Sequence, residues 1–272
     1  MRYNVPEYER RGAFENEEIL QNLTRITEIA QRSGIPNEQI VHVGGIAPML
    51  HTCIATGQTR YAIKWRGTQD LDICLTVSNG PQRLADALGG SGIHVTNRRP
   101  SRSIAHKHAV EIELGTAKGL FRSGRSLEID VYGGDAHGNA RINDRVLHPY
   151  PGKFITERII THPCWGHDLT IPNLLDTLIL KMDVAKETDR SKDTIDISAL
   201  LFSAEKTGLQ PKELTVKLKS VYSTLGIAWP TWSRQVIPTL TRVCGEREKL
   251  VKLDFAPVAS REYLEEVISL LR

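Results

Sequence analysis

The chain has 272 residues, of which 40% are hydrophobic and 25% are charged, and its formal net charge is +3 at pH 7. A chain of this length and composition can bury a substantial apolar core, and it lacks the bias of a disordered, collagen-like or coiled-coil protein. The weak positive charge allows an anionic partner but falls short of the strong basicity of dedicated nucleic-acid binders.

Cysteine usage and hydropathy bear on the cellular compartment. The four cysteines are Cys53, Cys74, Cys164 and Cys244. They are far apart and form no C-x-x-C pair, which is typical of reduced core residues rather than of a metal site or a disulfide framework. The N-terminal stretch is too charged for a signal peptide, and no segment approaches the roughly 20 apolar residues of a membrane span. We therefore expect a cytoplasmic protein with no membrane partner.

The N-terminal part begins with a helix, a strand and a glycine turn. Apolar residues at helical spacing predict an amphipathic helix over residues 18–33. The segment QIVHVGG at 39–45 indicates a short buried strand that runs into two glycines. The segment IAPMLHTCIATG at 46–57 is typical of a helix with a proline in its first turn.

Strands dominate the part that follows. The segment DLDICLTV at 70–77 alternates apolar and polar residues, which predicts a strand with one polar face. A short helix is predicted over 81–90, and strand-like segments follow at 93–97, 109–114 and 126–134. Together these segments predict a mixed sheet with some antiparallel edges.

Beyond about residue 165 the pattern becomes helical. Helices are predicted over residues 171–187, 192–208, 211–226, 231–245 and 260–272. The predicted fold class is therefore α+β, with a mixed α/β core over residues 1–168 and a helical C-terminal domain over residues 169–272.

The main chemical signal is a pair of aspartates in WRGTQDLDICL, residues 65–75. Side chains two apart on a strand leave from the same face, so Asp70 and Asp72 are predicted to share one space, with Cα atoms about 6.5 Å apart. Carboxylate oxygens suit Mg²⁺, which completes its coordination with water and phosphate oxygens. A third carboxylate on a neighbouring strand would complete a two-metal site for phosphoryl or nucleotidyl transfer.

The third carboxylate is predicted to be Asp130. In LEIDVY it alternates with apolar residues and falls on the polar face together with Glu128. Glu111 and Glu113 also share a face and are rivals for this position. For these glutamates, a solvated outer face of an antiparallel sheet is the favoured interpretation.

The glycine pair Gly44 and Gly45 falls between a predicted strand and a predicted helix. Backbone N–H groups there can approach an anion, and the helix N-terminus adds a favourable potential. The alternative is a tight turn that needs a positive φ. Further along, Arg66 is a candidate for positioning a triphosphate, and Thr68 shares the face of the aspartates and can hydrogen-bond within the site.

These segments resemble a known family. GGIA at 44–47 and RGTQDLD at 66–72 are similar to the glycine pair and the R-x-T/S-x-D-x-D signature of the DNA polymerase β-like nucleotidyltransferase superfamily, especially its AbiEii-type branch. LKMDVAKETDRSKDTIDISALL at 180–201 resembles the second signature of that branch. This sequence departs from the branch at Ile46, where a small hydroxyl residue is common, and at Met182 and Asp183, where a more apolar pair is usual.

The resemblance implies a nucleotidyltransferase fold and roles for several residues. It implies that Asp70, Asp72 and Asp130 hold two Mg²⁺ ions, with Mn²⁺ as an alternative, that Lys181 and Lys192 reach the nucleotide phosphates, and that Asp193 lies at the active site. The spacing agrees in part: Lys181 and Lys192 are about three helical turns apart, which on a continuous helix would put both on the same side. The alternative for Lys192 is a surface ion pair with Asp196, four residues on.

The predicted activity is metal-dependent transfer of a nucleoside monophosphate from an NTP to an acceptor hydroxyl. The resemblance implies a toxin that modifies tRNA or another RNA and is controlled by a cognate antitoxin protein. A basic stretch over residues 98–125 can track the phosphates of an RNA acceptor, with a solvated hairpin face as the alternative. Two other functions stay open: a small-molecule, antibiotic-type nucleotidyltransferase and a non-catalytic nucleotide- or RNA-binding module.

Overall fold

The structure is a computed structural model of the chain, and its described residues form two compact units. The described residues are 16–57, 65, 70–93, 95–97, 107–113, 126–133, 159–164, 167–187, 191–224, 228–253 and 256–272. One unit, the sheet unit, contains the described parts of Met1–Ile46 and Gly67–Asn173, and the other, the helical unit, contains those of Ala47–Arg66 and Leu174–Arg272.

The sheet unit contains seven strands in its described part. They are β1 (Ile40–His42), β2 (Asp70–Leu75), β3 (Val95–Asn97), β4 (Lys107–Glu113), β5 (Ser126–Gly133), β6 (Ile159–Cys164) and β7 (His167–Pro172). Their order in the sheet is β3-β4-β5-β2-β1-β7-β6. The pairs β2–β5 and β1–β7 are parallel and the other pairs are antiparallel. The predicted mixed sheet and the α+β class are confirmed.

Helix α1 covers the apolar face of this sheet. On β2, Leu71 and Ile73 are fully buried and alternate with the half-buried Asp72. His42 of β1 is paired with Ile73 and so occupies the same face. Its Nε2 lies 3.2 Å from the hydroxyl of Thr27 on α1, which spans Asn16–Arg32. Its described apolar residues Leu23, Ile26, Ile29 and Ala30 are buried, as the prediction of a helix over 18–33 requires.

The sheet unit contains a second helix, α3, which spans Gly80–Gly90 and has a proline in its first turn. Its Arg83 donates from Nη2 to the carbonyl of Gly34, just beyond the end of α1, at 3.1 Å. This bond joins α3 to the turn that follows α1. The two helices therefore brace each other.

The hairpin of β6 and β7 was not predicted from the sequence. Each strand contains a proline, which weakens a strand pattern: Pro163 in β6 and Pro172 at the end of β7. β6 is the last strand of the sheet, where proline is tolerated because one side of the strand needs no ladder hydrogen bonds. The predicted boundary after residue 168 therefore falls within β7, and the observed division lies after Asn173.

The helical unit contains the remaining helices. They are α2 (Ile46–Thr56, whose first residue belongs to the sheet unit), α4 (Leu174–Glu187), α5 (Ser191–Lys206), α6 (Pro211–Thr224), α7 (Trp229–Leu253) and α8 (Arg261–Leu271). The assignment of Ala47–Arg66 to this unit is a second difference from the predicted division, beside the boundary after Asn173. His51 of α2 lies 3.2 Å from the hydroxyl of Thr177 on α4, a contact within the helical unit.

Helix α5 is buried on every side at its centre, because each residue from Asp193 to Leu201 is buried. A helix of this kind usually carries apolar residues all round. Here the apolar residues alternate with Asp193, Thr194, Asp196 and Ser198. The polar groups in this core therefore need partners inside the protein.

Two further observations bear on the predicted compartment. Among the described residues, no helix combines enough length and apolarity to cross a membrane. Cys53 and Cys74 are buried, Cys244 is half-buried, and burial raises the pKa of Cys74 to about 12. The burial of Cys53 and Cys74 agrees with the predicted core residues, and the cytoplasmic location stays a prediction.

Candidate active site

The glycine pair after β1 lies against the aspartate strand β2. Gly44 has a φ of +64°, a left-handed conformation that a residue with a side chain rarely adopts. The N–H of Val43 donates to the carbonyl of Asp72 at 3.0 Å and extends the β1–β2 pairing beyond the strand end. A Cβ atom on Gly44 would overlap Oδ2 of Asp72 and lie 2.5 Å from its Cγ. Glycine is required here both by its φ and by the adjacent carboxylate.

This contact joins two features that the sequence presents separately. The turn that requires a positive φ at Gly44 is present, and the anionic group that lies against it is the carboxylate of Asp72. Gly45, the next residue, is buried. The predicted contact of the glycine pair with a nucleotide phosphate stays a prediction.

The register of β2 and β5 places the three predicted aspartates on one face of the sheet. The strands are parallel, with Asp72 paired to Asp130 and Asp70 paired to Glu128. Neighbouring strands lie about 4.8 Å apart, and residues two apart on a strand share a face. At positions 70, 128 and 130 the description is confined to the backbone. The positions needed for a shared carboxylate site therefore lie on two adjacent strands.

The same register separates Asp130 from its rivals. Glu111 and Glu113 belong to β4, which pairs with β5 and not with β2. Glu111 is paired with Glu128, and the residue of β4 opposite Asp130 is Ala109. Both rival positions are one strand further from Asp72, so Asp130 is the candidate directly opposite it.

The residues of this face suit a hard divalent cation. Asp72 is half-buried, and its carboxylate lies at the glycine turn, where the absence of a side chain leaves room for it. Directly opposed acidic positions on neighbouring strands repel each other unless a cation lies between them. The side chains of Asp70 and Asp130 are not among those that the structure describes. Among the side chains that it does describe, no three His, Cys, Asp or Glu residues are grouped so that they could hold a metal ion.

The helical unit contains an ionic cluster around Lys181 of α4. The Nζ atom of Lys181 lies 2.6 Å from Oδ2 of Asp196 and 3.7 Å from Oδ1 of Asp193, both on α5. The side chains of Lys181, Asp193 and Asp196 are 11%, 2% and 0% exposed. The structure therefore brings together two of the predicted site residues, Lys181 and Asp193, and adds Asp196 to them.

Two interpretations from the sequence are corrected by this cluster. Lys181 and Lys192 do not lie on one continuous helix, because α4 ends at Glu187 and α5 begins at Ser191. The three-turn spacing argument therefore does not apply to them. The alternative of a surface ion pair between Lys192 and Asp196 is corrected in one respect, since Asp196 is fully buried, with its carboxylate 2.6 Å from Lys181. Lys192 is half-buried, and its predicted contact with phosphate stays a prediction.

Two predicted site residues, Arg66 and Thr68, lie outside the described residues. The same is true of most of the basic stretch over 98–125, within which the structure describes β4 and its Lys107. Their predicted roles in triphosphate and RNA binding stay predictions.

Sequence reasoning missed the buried histidine next to the glycine turn. Desolvation by burial lowers the pKa of His42 to about 3, so the ring is neutral at physiological pH. Its Nε2 lies 3.2 Å from the Thr27 hydroxyl. The only signal in the sequence was a single polar residue within the apolar segment QIVHVGG. Its position on the apolar face indicates a structural role rather than a place among the carboxylates.

Comparisons with known proteins give distant structural similarities. No protein-family profile matches the sequence, and no curated protein matches it. An antigenic nucleotidyltransferase-like protein from Paracoccidioides brasiliensis is 14% identical, with a TM-score of 0.47 over 93% of this chain and 99% of that one.

Two proteins from Helicobacter pylori are similarly distant. JHP933 is 13% identical, with a TM-score of 0.43 over 95% of this chain and 92% of that one. A protein described as a nucleotidyltransferase is 12% identical, with a TM-score of 0.44 over 95% and 94% of the two chains. Similarity at this level does not assign an activity, so the function is argued from the residues of this chain.

Proposed function

We propose that the protein is a metal-dependent nucleotidyltransferase that transfers a nucleoside monophosphate from an NTP to an acceptor hydroxyl. The observation that carries this proposal is the pairing of Asp72 with Asp130 on parallel strands, with the Asp72 carboxylate against Gly44. Opposed acidic positions beside a glycine turn would bring hard oxygen ligands next to backbone that a phosphate can approach. The resemblance of GGIA and RGTQDLD to the superfamily signatures supports the same activity.

In the proposed reaction the acceptor oxygen forms a bond to the α-phosphorus, and the bond to the oxygen that bridges to the β-phosphate breaks. Pyrophosphate leaves with the electron pair, and the hydroxyl proton is released. Asp70, Asp72 and Asp130 would hold two Mg²⁺ or Mn²⁺ ions, which when bound activate the acceptor oxygen and stabilise the leaving group. Gly44 and Gly45 would offer backbone N–H groups to phosphate oxygens.

The remaining predicted residues would supply positive charge and orientation. Lys181, Lys192 and Arg66 would bind the phosphates, Thr68 would hydrogen-bond within the site, and Asp193 would act beside Lys181, as the resemblance implies. We propose tRNA or another RNA as the acceptor, supported by the basic stretch over 98–125 and the sequence pI near 8.6. A toxin role under the control of an antitoxin protein is proposed on the resemblance alone.

The test is transfer of label from each α-labelled NTP, with Mg²⁺ and total RNA, by the wild type and by Asp72→Asn. Asp86→Asn is the matched control, because Asp86 is an exposed aspartate of the same unit that bonds to Gln82. We expect label on RNA with the wild type and the control, and a loss of at least about 1,000-fold with Asp72→Asn.

Other outcomes select the alternatives. Label on an added aminoglycoside and not on RNA would replace the RNA acceptor with a small molecule. Binding of NTP without transfer to either acceptor would indicate a non-catalytic module. Equal transfer by Asp72→Asn and Asp86→Asn would exclude the proposed carboxylate site.

A further inference from the structure

The buried carboxylate of Asp196 has no assigned role, and its geometry singles it out. Its Oδ2 lies 2.6 Å from Nζ of Lys181, which is the distance of a direct charge-assisted hydrogen bond. Asp193 is on the same helix, but its Oδ1 is 3.7 Å from the same nitrogen. Asp196 is therefore the principal partner of the Lys181 ammonium among the contacts of this cluster.

The two members of this pair differ in burial. The Asp196 side chain is fully buried, whereas the Lys181 side chain is 11% exposed. A fully buried anion at hydrogen-bond distance from a less buried cation restricts the directions in which that cation can point.

Stability alone gives a weak reason for such a pair. Desolvation of two charges offsets most of their attraction, and a buried ion pair is often no more stabilising than a well-packed apolar pair of the same volume. The helices carry both apolar and polar buried residues near this pair, such as Met182 and Asp183 on α4 and Ile197 and Asp193 on α5. Because the pair itself adds little to stability, a charged pair here is expected to serve the orientation of its cation.

We infer that Asp196 is a positioning residue that holds the Lys181 ammonium in the orientation required for nucleotide phosphates. This inference rests on the proposed function, in which Lys181 binds those phosphates. We expect Asp196 to touch no substrate and to affect nucleotidyl transfer through Lys181, which separates it from a residue that only maintains the fold.

The test uses two single variants, two double variants and one control. Asp196→Asn removes the charge of the partner and keeps its shape, and Lys181→Met removes the cation. The double variant Lys181→Met with Asp196→Leu replaces the buried ion pair by an apolar pair. The control, Glu213→Gln, breaks the exposed pair of Glu213 with Lys217, which has the same 2.6 Å separation in the same unit.

We expect Asp196→Asn to lower kcat/KM for NTP about 100-fold, the scale of a small misplacement of a group that contacts substrate. Asp196→Asn in a Lys181→Met background should lower it no further. The double apolar variant should be more stable than Lys181→Met alone, because it removes one of the two buried carboxylates that pair with Lys181, and it should still lack transfer. The control should match the wild type in both measurements.

The inference is overturned if the double apolar variant regains transfer together with its melting temperature, because Asp196 would then serve the fold alone. It is equally overturned if Asp196→Asn leaves kcat/KM unchanged. The proposed function is judged separately, from the wild type. A wild type without transfer ends both, since the inference gives Asp196 no other role.

Discussion

The sheet unit and the helical unit bury different kinds of polar side chain. In the described part of the sheet unit the buried polar residues are Asn22, Thr27, His42 and Thr170. All four are neutral, His42 because burial lowers its pKa. In the helical unit the buried polar residues include four aspartates and a lysine, on helices α4 and α5: Asp176, Lys181, Asp183, Asp193 and Asp196.

The two units also differ in how far their carboxylates are buried and in the source proposed for the neutralising cation. The helical unit buries Asp193 and Asp196 and provides Lys181 as their cation from within the chain. In the sheet unit Asp72 is only half-buried, at a turn opened by Gly44, and we propose that its cations come from solution. We therefore expect changes at the ion pair of the helical unit to act first on folding, and changes at Asp72 to act first on activity.

The largest expected effect on stability is that of Lys181→Met. Removing this lysine leaves buried carboxylates without their nearest cation, so the free energy of unfolding should fall by about 3–5 kcal/mol. Lys217→Met is the matched control, because Lys217 pairs with Glu213 at the same 2.6 Å but in an exposed setting. Its loss should be about 0.5 kcal/mol or less. Urea denaturation of both variants tests this, and equal losses would show that burial does not distinguish the two pairs.

The next effect tests the turn that holds the carboxylate of the sheet unit. Gly44→Ala combines a left-handed φ with a Cβ atom that overlaps Asp72. We expect the free energy of unfolding to fall by about 1–2 kcal/mol from the φ and by about 1–3 kcal/mol more from overpacking. Gly57→Ala is the control, since Gly57 has a φ of +63° and open space at its Cβ position.

Both variants are compared by thermal and urea denaturation and by label transfer to RNA. Only Gly44→Ala should impair transfer, because only this variant displaces the Asp72 carboxylate. If the two alanine variants lose the same stability and neither loses activity, the contact between Gly44 and Asp72 has no part in the site.

The elements that the sequence predicted well are those with a local signal. The helix over 18–33 and the strand at 70–77 follow from apolar periodicities of 3.6 and two, and both were found, as α1 and β2. The face shared by Asp70 and Asp72 follows from the same period. The hairpin of β6 and β7 lacked such a signal, because prolines interrupt its strands.

Contacts between residues far apart in the chain could not be predicted from the sequence. The register that sets Asp130 opposite Asp72 depends on pairing between strands far apart in the chain, and periodicity gives only the face of each residue. The contact of Gly44 with Asp72 is of the same kind. Charge spacing favoured a Lys192–Asp196 pair, but packing of α4 on α5 buries Asp196 beside Lys181 instead.

Among the neutral polar residues of the sheet unit, His42 should make the free energy of unfolding depend on pH. Burial lowers the pKa of His42 from 6.5 to about 3, so between these values the unfolded chain binds a proton that the folded chain does not. Stability should therefore fall as the pH drops through this window, by about 2 kcal/mol between about pH 7 and pH 5 from this group alone.

His42→Gln removes the titrating group and keeps a polar side chain near Thr27. Its free energy of unfolding, measured by urea denaturation at several pH values, should depend less on pH than that of the wild type by this amount. Comparing the slopes, rather than the absolute values, removes the cost of the substitution itself. If the free energy of unfolding depended equally on pH in His42→Gln and the wild type, His42 would bind a proton as readily in the folded protein as in the unfolded chain. The interior of the sheet unit would then not be neutral, and the contrast with the helical unit would fail.

The smallest expected effect concerns a neutral hydrogen bond in the otherwise ionic helical unit. The hydroxyl of Tyr263 on α8 donates to the carbonyl of Leu209 at 2.8 Å, and burial and the nearby Glu205 carboxylate raise the phenol pKa, so the donor stays protonated at physiological pH. Tyr263→Phe leaves that carbonyl without this donor and should lower the free energy of unfolding by about 1 kcal/mol, measured by urea denaturation. A loss as large as that of Lys181→Met would show that the interior of the helical unit depends on neutral hydrogen bonds as much as on its ion pair, and the division drawn between the units would not hold.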